Sequence, residues 1–317
     1  MATRPLHILL TGGSSFTGAW FARALAAAGH QVTAIFRKPA DAYDDPVRRR
    51  RVAMVAEVCH TTHGLGFGDD AFLALLKKGP WDVLAHHAAD VTNYKSPDFD
   101  TVAAVANNTH NLPAVLEALK AGGGKKVLLT GSVFEGGEGA GSQGLPDFSP
   151  YGLSKALTAR VFQYYCQRAG VTLGKFVIPN PFGPFEEPRF TGYLMKNWLA
   201  GKGANCSSPT YVRDNIHVSL LAAVYAQFAA SLPDAPGFVR INPSGYAESQ
   251  GAFTLRLAQE MQPRLNLPCE VELLKQTDFP EPVVRLNTDI PDHAALGWSE
   301  SAAWDAMAEY YLSLAKV

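Results

Sequence analysis

A tyrosine and a lysine stand four residues apart in the segment SPYGLSK, residues 149–155. On an α-helix this spacing places Tyr151 and Lys155 on one face, one turn apart. A free tyrosine has a pKa of about 10, and a nearby ammonium favours the phenolate, so the pair is suited to proton exchange. Pro150 and the N-cap candidate Ser149 predict that a helix begins here. The same spacing is common on exposed helix faces, so the rest of the sequence must distinguish the two interpretations.

A glycine-rich turn near the N-terminus is a second candidate for chemistry. The segment TGGSSFTG, residues 11–18, follows a short apolar run. Gly12 can adopt a positive φ and let the backbone approach a pyrophosphate, while the N–H groups of the next helix point at the anion. Gly18 would let that helix pack closely on the strand. Ser15 replaces the middle glycine of the usual spacing, keeps the turn if its φ is negative, and offers a hydroxyl to a phosphate. The predicted dinucleotide contacts in this turn are Gly12, Ser14, Ser15, Phe16, Thr17 and Gly18.

The residues after the second predicted strand indicate which dinucleotide binds. NAD-binding proteins carry an acidic residue here, which binds the ribose 2′-OH. This sequence instead has Arg37 and Lys38 after Phe36. The planar guanidinium of Arg37 suits a 2′-phosphate, and Lys38 adds positive charge. The alternative is a surface pair at the end of a strand. The sequence therefore favours NADP(H) and leaves NAD open.

The composition excludes several classes of function. The 317 residues are 18% charged with a formal net charge of −1, which gives no electrostatic footprint for nucleic acid or an anionic membrane. We expect the one basic run, residues 48–51, to be a solvated helix face. No stretch resembles a signal peptide or a membrane span, so we expect a cytoplasmic protein. Scattered cysteines without metal-ligand spacing predict reduced thiols and no metal site: Cys59, Cys166, Cys206 and Cys269.

These candidate sites must be positioned by secondary structure, and strand and helix signals alternate through the first 180 residues. Continuous apolar strands between helices predict a parallel sheet covered on both faces, which binds ligands beyond the carboxyl ends of its strands. The predicted strands span residues 6–11, 31–36, 82–85, 126–130 and 175–178. The predicted helices span residues 16–28, 45–57 and 107–120, and a further helix is predicted to begin near Tyr151.

The character of the sequence changes after about residue 180. Proline and glycine become dense in PNPFGPFEEPRF and GKGANCSSPT, and the alternation of strands and helices ends. Loop-rich segments on a rigid sheet often carry specificity. We therefore predict an α/β protein with a Rossmann-type, doubly wound parallel sheet over residues 1–178. A smaller C-terminal substrate-binding lobe is predicted over residues 179–317, partly interleaved with the main sheet.

Several motifs occur in an order that resembles a known family. They are TGGSSFTG, DVLAHHAA at 82–89, Ser132, SPYGLSK, IPNPFGP at 178–184, VRDNIHV at 212–218 and LGW at 296–298. The ordered set is similar to the extended short-chain dehydrogenase/reductase family, in particular its nucleotide-sugar epimerases, dehydratases and ketoreductases. The matches span nearly the whole chain.

The resemblance implies catalytic roles for four residues. Tyr151 would be the general acid/base, and Lys155 would tune it and hold the nicotinamide ribose. Ser132 would hydrogen-bond the reacting sugar oxygen, with Thr130 a weaker candidate for that role. Asn108 matches a helix asparagine with a structural or proton-relay role. The family also implies a homodimer that forms through the helices of Tyr151 and Asn108.

The resemblance implies binding or structural roles for further residues. Small side chains just after the fourth strand would line the cofactor, and the segment after residue 178 would meet the nicotinamide and the substrate diphosphate. Arginines of the lobe would bind the diphosphate, with an interdomain salt bridge as the alternative. The residues concerned are Ala88, Ala89 and Pro179 for the cofactor, Asn180, Arg213 and Arg285 for the substrate, His86 as a structural residue and His87 as a core residue.

The residues after Ser132 bear on the type of reaction. The family's 4,6-dehydratases carry two acids directly after the catalytic hydroxyl, but this chain has Val133 and Phe134 there, with Glu135 one place later. Dehydration is therefore disfavoured. Arg37 indicates an NADPH-dependent ketoreductase that acts at sugar C4, and a 4-epimerase with tightly bound NAD is the alternative. A non-catalytic NADP-binding sensor or scaffold and a reductase of a non-nucleotide ketone also stay open.

Overall fold

The computed structural model describes residues 4–141 and 144–315. The strands in these residues are β1 (His7–Thr11), β2 (Gln31–Phe36), β3 (His60–His63), β4 (Val83–His86), β5 (Lys126–Ser132), β6 (Thr172–Ile178), β7 (Asn180–Phe182), β8 (Ala204–Cys206), β9 (Val212–His217), β10 (Phe238–Ile241), β11 (Tyr246–Ser249), β12 (Val271–Leu273) and β13 (Val284–Arg285). The α-helices are α1 (Phe16–Ala27), α2 (Pro46–Ala56), α3 (Asp70–Lys78), α4 (Thr101–Asn108), α5 (Leu112–Ala121), α6 (Pro150–Ala169), α7 (Phe190–Leu199), α8 (Val218–Ser231), α9 (Gln250–Leu265) and α10 (Glu300–Ala315).

Seven of these strands form one parallel sheet in the order β3-β2-β1-β4-β5-β6-β10. The inner strands are largely apolar and buried because helices cover both faces of the sheet, as the segments HILLT of β1 and VLAH of β4 illustrate. The strand order reverses at β1, which lies between β2 and β4. A reversal of this kind opens a crevice at the carboxyl ends of the two strands. The predicted Rossmann-type α/β fold is confirmed.

The chain divides into two compact units. Unit 1 comprises the residues up to Glu138, then Pro146–Ile178 and Ala222–Asn242. It contains the seven-stranded sheet, and β10 pairs in parallel with β6 as an edge strand. Its core is formed by apolar side chains from strands and helices, among them Leu9, Leu84, Leu116 and Phe162.

Unit 2 comprises Gly139–Leu145, Pro179–Leu221 and Pro243–Val317. Its main sheet is built around β9, which pairs antiparallel with β11 and parallel with β7 and β13. A separate pair is formed by β8 and β12. Helices α7, α9 and α10 contribute to its aromatic-rich core, which includes Phe182, Trp198, Phe253 and Trp304.

The predicted helix over residues 107–120 is wrong at its start. The structure has two helices here, α4 and α5, separated by a break that contains Asn111. Asn111 has a φ of 51°, a left-handed value that a helix cannot continue through and that asparagine tolerates better than most residues. Its side-chain amide donates to the carbonyl of Gly68 at 2.9 Å. The break is therefore fixed by a contact between segments distant in the chain.

The expectation that residues 48–51 form a solvated helix face is wrong for one residue. Arg51 is 2% exposed, and its Nη1 donates to the carbonyl of Ser14 at 3.4 Å. On α2 it shares the inward face with Val52 and Val55, which are also buried. Composition alone could not show that the last arginine of the run turns inward.

Residues 4–141 and 144–315 contain neither a helix that could span a membrane nor a cluster of metal ligands. None of the helices there is both long and apolar enough to cross a membrane. No group of three or more His, Cys, Asp or Glu side chains there is placed to hold a metal ion. The four cysteines are free thiols.

Candidate functional site

The turn between β1 and α1 has the backbone shape that a bound phosphate requires. Gly12 has a φ of 80°, and Ser15 has a φ of −77°, the sign that the glycine replacement needs. A Cβ on Gly12 would lie 2.8 Å from the backbone nitrogen of Ala88, just beyond β4. A Cβ on Gly18 would lie 2.2 Å from the Gly12 carbonyl oxygen. Close backbone approach thus requires both glycines, and the cradle fits a dinucleotide pyrophosphate at the N-terminus of α1.

The hydroxyl of Ser15 is used inside this turn. It accepts the N–H of Gly18 at 3.1 Å and so caps α1. It also lies 2.9 Å from the Gly12 carbonyl oxygen and 2.9 Å from Nε2 of His87. A hydroxyl has one proton to donate, so the predicted donation from Ser15 to a phosphate would cost the bond to Gly12. In this conformation Ser15 stabilises the turn.

His87 lies beneath the glycine turn and connects it to β5. Its Nε2 is 3.1 Å from Thr17 Oγ1, and its Nδ1 is 3.0 Å from Thr130 Oγ1. Burial, reinforced by the charge of Lys155, lowers the pKa of His87 to about 3, so the ring is neutral. Sequence reasoning assigned His87 to the core and missed these hydrogen bonds. Their partners are far apart in the chain, and no motif indicated them.

A second histidine orders the end of β4. His86 Nε2 lies 3.2 Å from the carbonyl of Asn108, which can only accept, so Nε2 carries the proton and Nδ1 accepts from Thr11 Oγ1 at 3.0 Å. Thr11 in turn accepts the two N–H groups that follow His86. The side chain of Asn108 accepts the N–H of Asp90 at 2.8 Å. Asn108 has a structural role here, and its proton-relay role stays a prediction.

The helix α6 begins where the sequence predicts. Ser149 is its N-cap and accepts the N–H of Gly152 at 3.1 Å, and Pro150 is its first residue. Proline suits this position because the first helical N–H has no partner within the helix. Tyr151 and Lys155 therefore lie one turn apart on the same helix.

The first turn of α6 packs against the turn that follows β5. A Cβ on Gly152 would lie 2.2 Å from the carbonyl oxygen of Phe134, so no larger residue fits without movement of the backbone. Phe134 is two residues beyond Ser132, whose Oγ accepts its N–H at 3.2 Å. The close contact brings the helical turn of Tyr151 to the segment of Ser132.

Lys155 is buried, and its Nζ donates to the carbonyl of Thr130 at 2.6 Å. Burial lowers the pKa of Lys155 to about 8, the carboxylate of Glu135 opposes this effect, and the ammonium of Lys175 adds to it. The ammonium of Lys155 therefore loses its proton within reach of neutral pH. A lysine perturbed in this way, next to a tyrosine, is typical of functional sites.

Thr130 and Ser132 are the two hydroxyl residues at the end of β5. Thr130 already contacts His87 through its hydroxyl and Lys155 through its carbonyl. Ser132 is 9% exposed and follows Thr130 at the strand end. The geometry therefore favours Ser132 over Thr130 as the hydroxyl that meets a ligand.

Two aromatic rings that sequence reasoning did not single out contact Tyr151. The ring of Tyr94 lies 5.4 Å from that of Tyr151 and the ring of Phe99 lies 5.9 Å from it, both edge-on. Edge-on packing is a favoured aromatic geometry and restricts the orientation of the Tyr151 ring. Both residues lie between β4 and α4, a segment without a recognisable motif.

Arg37 and Lys38 are exposed just beyond β2. Both a 2′-phosphate site and a simple surface pair require exposed side chains, so this exposure does not distinguish the two interpretations. The ring of Phe36, which precedes them, stacks on His63 with centroids 4.8 Å apart. The other predicted cofactor residues of unit 1 lie in the turn, at the start of α1 and just beyond β4: Ser14, Phe16, Thr17 and Ala89.

In unit 2, Arg213 and Arg285 are register partners on β9 and β13. Arg213 donates to Glu281 at 2.8 Å and to the carbonyls of Pro282 and Val283 at 3.0 and 3.1 Å. Nη1 of Arg285 lies 3.8 Å from the same carboxylate of Glu281. Burial and the charge of Arg213 lower the pKa of Arg285. Two buried guanidinium groups thus converge on one carboxylate, so the group of Arg213, Arg285 and Glu281 carries a net positive charge.

Pro179 and Asn180 stand at the start of β7. Asn180 is half-buried and pairs in register with Asn215 of β9. The side-chain amide of Asn215 donates to Gln250 at 2.7 Å. The backbone of Asn180 is therefore fixed by the sheet of unit 2.

The sequence matches one protein-family model, described as the NAD-dependent epimerase/dehydratase family, over residues 8–237. This range includes the glycine turn, the end of β4, and the residues Ser132, Tyr151 and Lys155. None of the proteins with curated descriptions matches the sequence.

Solved structures of similar fold cover nearly the whole chain. One is UDP-glucuronic acid 4-epimerase from Bacillus cereus in complex with UDP-glucuronic acid and NAD (19% identity, TM-score 0.72, 98% of this chain and 100% of that one). A second is UDP-glucose 4-epimerase from Thermotoga maritima with UDP-glucose (16%, 0.71, 98% and 99%). A third is dTDP-glucose 4,6-dehydratase from Streptomyces venezuelae with NAD (18%, 0.68, 97% and 97%). At these identities the likeness shows the shared fold.

Proposed function

Because the chain belongs to the NAD-dependent epimerase/dehydratase family, whose members are extended short-chain dehydrogenases/reductases, we propose that it is an NAD(P)-dependent oxidoreductase of a nucleotide-linked sugar. The reaction is hydride transfer at the sugar C4 with proton transfer at its oxygen. The bound dinucleotide supplies or accepts the hydride. The residues of the chain bind the reactants and move the proton.

The observation that carries this proposal is the first turn of α6. Tyr151 and the buried Lys155 lie one turn apart, and the same turn packs against the segment of Ser132. A positively charged Lys155 favours the phenolate form of Tyr151, which makes the phenol a usable acid or base. Ser132 hydrogen-bonds the reacting oxygen and orients it toward Tyr151.

The glycine turn supports the dinucleotide part of the proposal. Gly12, Ala88 and the N-terminus of α1 form a cradle whose shape a side chain at Gly12 would destroy. Lys155 also holds the nicotinamide ribose in this proposal, and Ala88, Ala89 and Pro179 line the cofactor.

The two arginines of unit 2 support the proposal that the substrate is anionic. Arg213 and Arg285 share one carboxylate, that of Glu281, and a diphosphate is a bidentate acceptor for such guanidinium groups. We assign them and Asn180 to the nucleotide diphosphate. Binding energy from this remote group would then position the sugar for reaction.

The identity of the cofactor distinguishes two possible net reactions, reduction of a keto-sugar and epimerisation at C4. Arg37 and Lys38 stand where an acid would bind the ribose of NAD, and they favour an NADPH-dependent ketoreductase. The solved 4-epimerases of the same fold are complexes with NAD or UDP-sugars, and they favour a 4-epimerase that keeps its cofactor bound. Dehydration is not favoured, because the carboxylate of Glu135 binds the N–H of Ser132 and the ammonium of Lys175.

The test is to identify the dinucleotide that remains bound after purification and then to follow turnover. The protein is denatured, the released dinucleotide is identified by mass spectrometry, and UDP-glucose, UDP-glucuronic acid and dTDP-glucose are offered with each cofactor. Bound NAD with interconversion at C4 supports the epimerase. An empty site that prefers NADPH supports the reductase, and Arg37→Ser should then weaken NADPH binding about tenfold or more without affecting NADH. Tight dinucleotide binding without turnover of any sugar would support the sensor or scaffold instead.

The proposal includes a cytoplasmic homodimer formed through α4 and α6. These helices contact each other and present exposed apolar side chains, Val102 on α4 and Leu153 and Leu157 on α6. Sedimentation of the purified chain measures this directly, and a monomer at micromolar concentration would contradict it.

A further inference from the structure

Three charged side chains are buried next to Ser132, outside the residues that the proposed reaction uses. They are Glu135 and Glu138 in the segment after β5 and Lys175 on β6, and each is less than one-tenth exposed. Burying charges is costly unless they are paired and hydrogen-bonded, so a cluster of this kind has a structural or functional reason.

Glu135 is the member of the cluster that touches the proposed catalytic segment. Its Oε1 accepts the N–H of Ser132 at 2.7 Å, and its Oε2 forms a salt bridge with Nζ of Lys175. A Cβ on Gly131 would lie 2.7 Å from Cε of Lys175 and 3.0 Å from Oε1 of Glu135. The glycine on β5 therefore leaves the space through which lysine and glutamate meet.

Glu138 belongs to the same cluster, because Lys175 forms salt bridges with both glutamates. Its Oε1 accepts from Lys175 at 2.7 Å and from Arg240 at 3.3 Å, and its Oε2 accepts from Asn242 at 2.9 Å. Glu138 makes no hydrogen bond to Ser132 among these contacts. It is thus buried, as Glu135 is, and shares its lysine, while its other partners are Arg240 and Asn242.

Lys155 brings a second positive charge to this cluster, which otherwise has two carboxylates and one ammonium. Its Nζ donates to a backbone carbonyl, that of Thr130, and the charges that act on it are those of Glu135 and Lys175. With Lys155 counted, two buried ammonium groups stand beside two buried carboxylates. Lys155 and Glu135 bind backbone groups two residues apart on β5, the carbonyl of Thr130 and the N–H of Ser132, and the carboxylate of Glu135 raises the pKa of Lys155.

We propose that Glu135 is a positioning residue that fixes the backbone of Ser132 and holds Lys155 in its charged form. This inference deepens the proposed function, because it rests on the roles assigned there to Ser132 and Lys155. Loss of the carboxylate charge would release the proton of Lys155 at lower pH and weaken its support of the Tyr151 phenolate.

The other titratable groups that face Lys155 do not supply this charge. His86 and His87 are neutral, since burial, with the charge of Lys155, lowers the pKa of each to about 3. Lys175 repels the ammonium, and Tyr151 on the same helix is the group that Lys155 serves. Within the part of the chain that the structure describes, Glu135 is the acid that raises the pKa of Lys155.

The experiment measures the protonation of Lys155 directly. The full chain is labelled with lysine carrying ¹³C at Cε, and the Lys155 signal is assigned by its loss in Lys155→Arg and titrated with pH by NMR. Glu135→Gln keeps the size of the side chain and removes its charge. We expect the Lys155 midpoint to fall from near 8 by about one unit or more, a tenfold change in proton affinity.

Two further variants make the result specific. Glu138→Gln removes an equally buried charge from the same salt bridge and is expected to leave the Lys155 midpoint in place. Lys175→Gln removes the repelling ammonium and is expected to raise the midpoint, the opposite sign. An unchanged midpoint in Glu135→Gln, or equal shifts in Glu135→Gln and Glu138→Gln, would overturn the proposal.

The titration needs no substrate, so its outcome is separate from that of the proposed function. If no sugar is turned over but the Lys155 midpoint moves as expected, the proposed reaction fails and the role of Glu135 in charging Lys155 stands. If a sugar is turned over, the alkaline limb of the kcat profile should move to lower pH in Glu135→Gln and stay in place in Glu138→Gln.

Discussion

Ser15 shows how a single residue can depart from a glycine pattern and keep its turn. Its φ of −77° needs no glycine, and its hydroxyl caps α1. Beside it, His87 provides a buried partner for that hydroxyl and for the hydroxyl of Thr17. The turn therefore keeps its shape without a glycine at position 15.

Tyr151→Phe tests the role of a single hydroxyl. The variant keeps the ring that Tyr94 and Phe99 contact and removes the proton that is transferred. We expect kcat to fall by about 10²–10⁴, the usual contribution of a general acid/base, and dinucleotide affinity to stay nearly unchanged. Steady-state kinetics and fluorescence titration measure the two quantities. Tyr164→Phe, at an exposed position on the same helix, is the control, and full turnover in Tyr151→Phe would exclude this mechanism.

At the scale of elements, α6 is positioned by its ends and by one glycine. Ser149 caps its start, and Gly170 at its end has a φ of 66° in the left-handed region. Both signals are local and could be read from the sequence. The contact of Gly152 with the turn after β5 could not, because the two segments are not neighbours in the chain. This contact decides which strand end the first turn of α6 packs against.

Gly152→Ala is expected to displace the start of α6. Alanine normally stabilises a helix, but here its methyl group would lie 2.2 Å from the Phe134 carbonyl oxygen. We expect a loss of about 1–3 kcal/mol in the free energy of unfolding, as for other overpacked sites, and a larger relative loss of kcat. Urea denaturation and kinetics measure both. Gly237→Ala is the control, since its methyl group meets nothing closer than 4.0 Å, and equal behaviour of the two variants would contradict the packing argument.

At the scale of the whole molecule, buried histidines make stability depend on pH. Burial lowers the pKa of His86, His87 and His217 to about 3, whereas an unfolded histidine titrates near 6.5. Below pH 6.5 the unfolded chain therefore binds protons that the folded chain does not. Stability is complete above this pH and is lost as the pH falls toward 3.

Acidification is accordingly expected to destabilise the protein. Each of these histidines contributes a loss of roughly 2 kcal/mol between pH 6.5 and about pH 5. Glu186 acts in the opposite direction, because burial raises its pKa to about 7 and the folded chain keeps its proton as the pH rises above the unfolded value. Urea denaturation at several pH values measures the sum, and Glu186→Gln should steepen the loss. Equal stability at pH 7 and pH 5 would contradict the burial of neutral histidines.

Local signals were sufficient for much of this fold and part of the site. Apolar runs located five of the seven strands of the main sheet, a cap and a proline located the start of α6, and glycines located the turn after β1. These features depend on backbone propensity and on contacts within a few residues, which the order of amino acids specifies directly. The motifs carried by them, in sequence order, were enough to indicate the family.

What the sequence by itself determined is therefore the Rossmann-type sheet, its glycine turn and the pairing of Tyr151 with Lys155 on one helix. Only the tertiary structure decided that His87 lies beneath that turn, that Glu135 and Lys175 meet next to Ser132, and that Lys155 is buried where its Nζ binds the carbonyl of Thr130. The physical reason is that hydrogen bonds and charge pairs between distant segments gain their strength from burial, and burial exists only once the chain has folded.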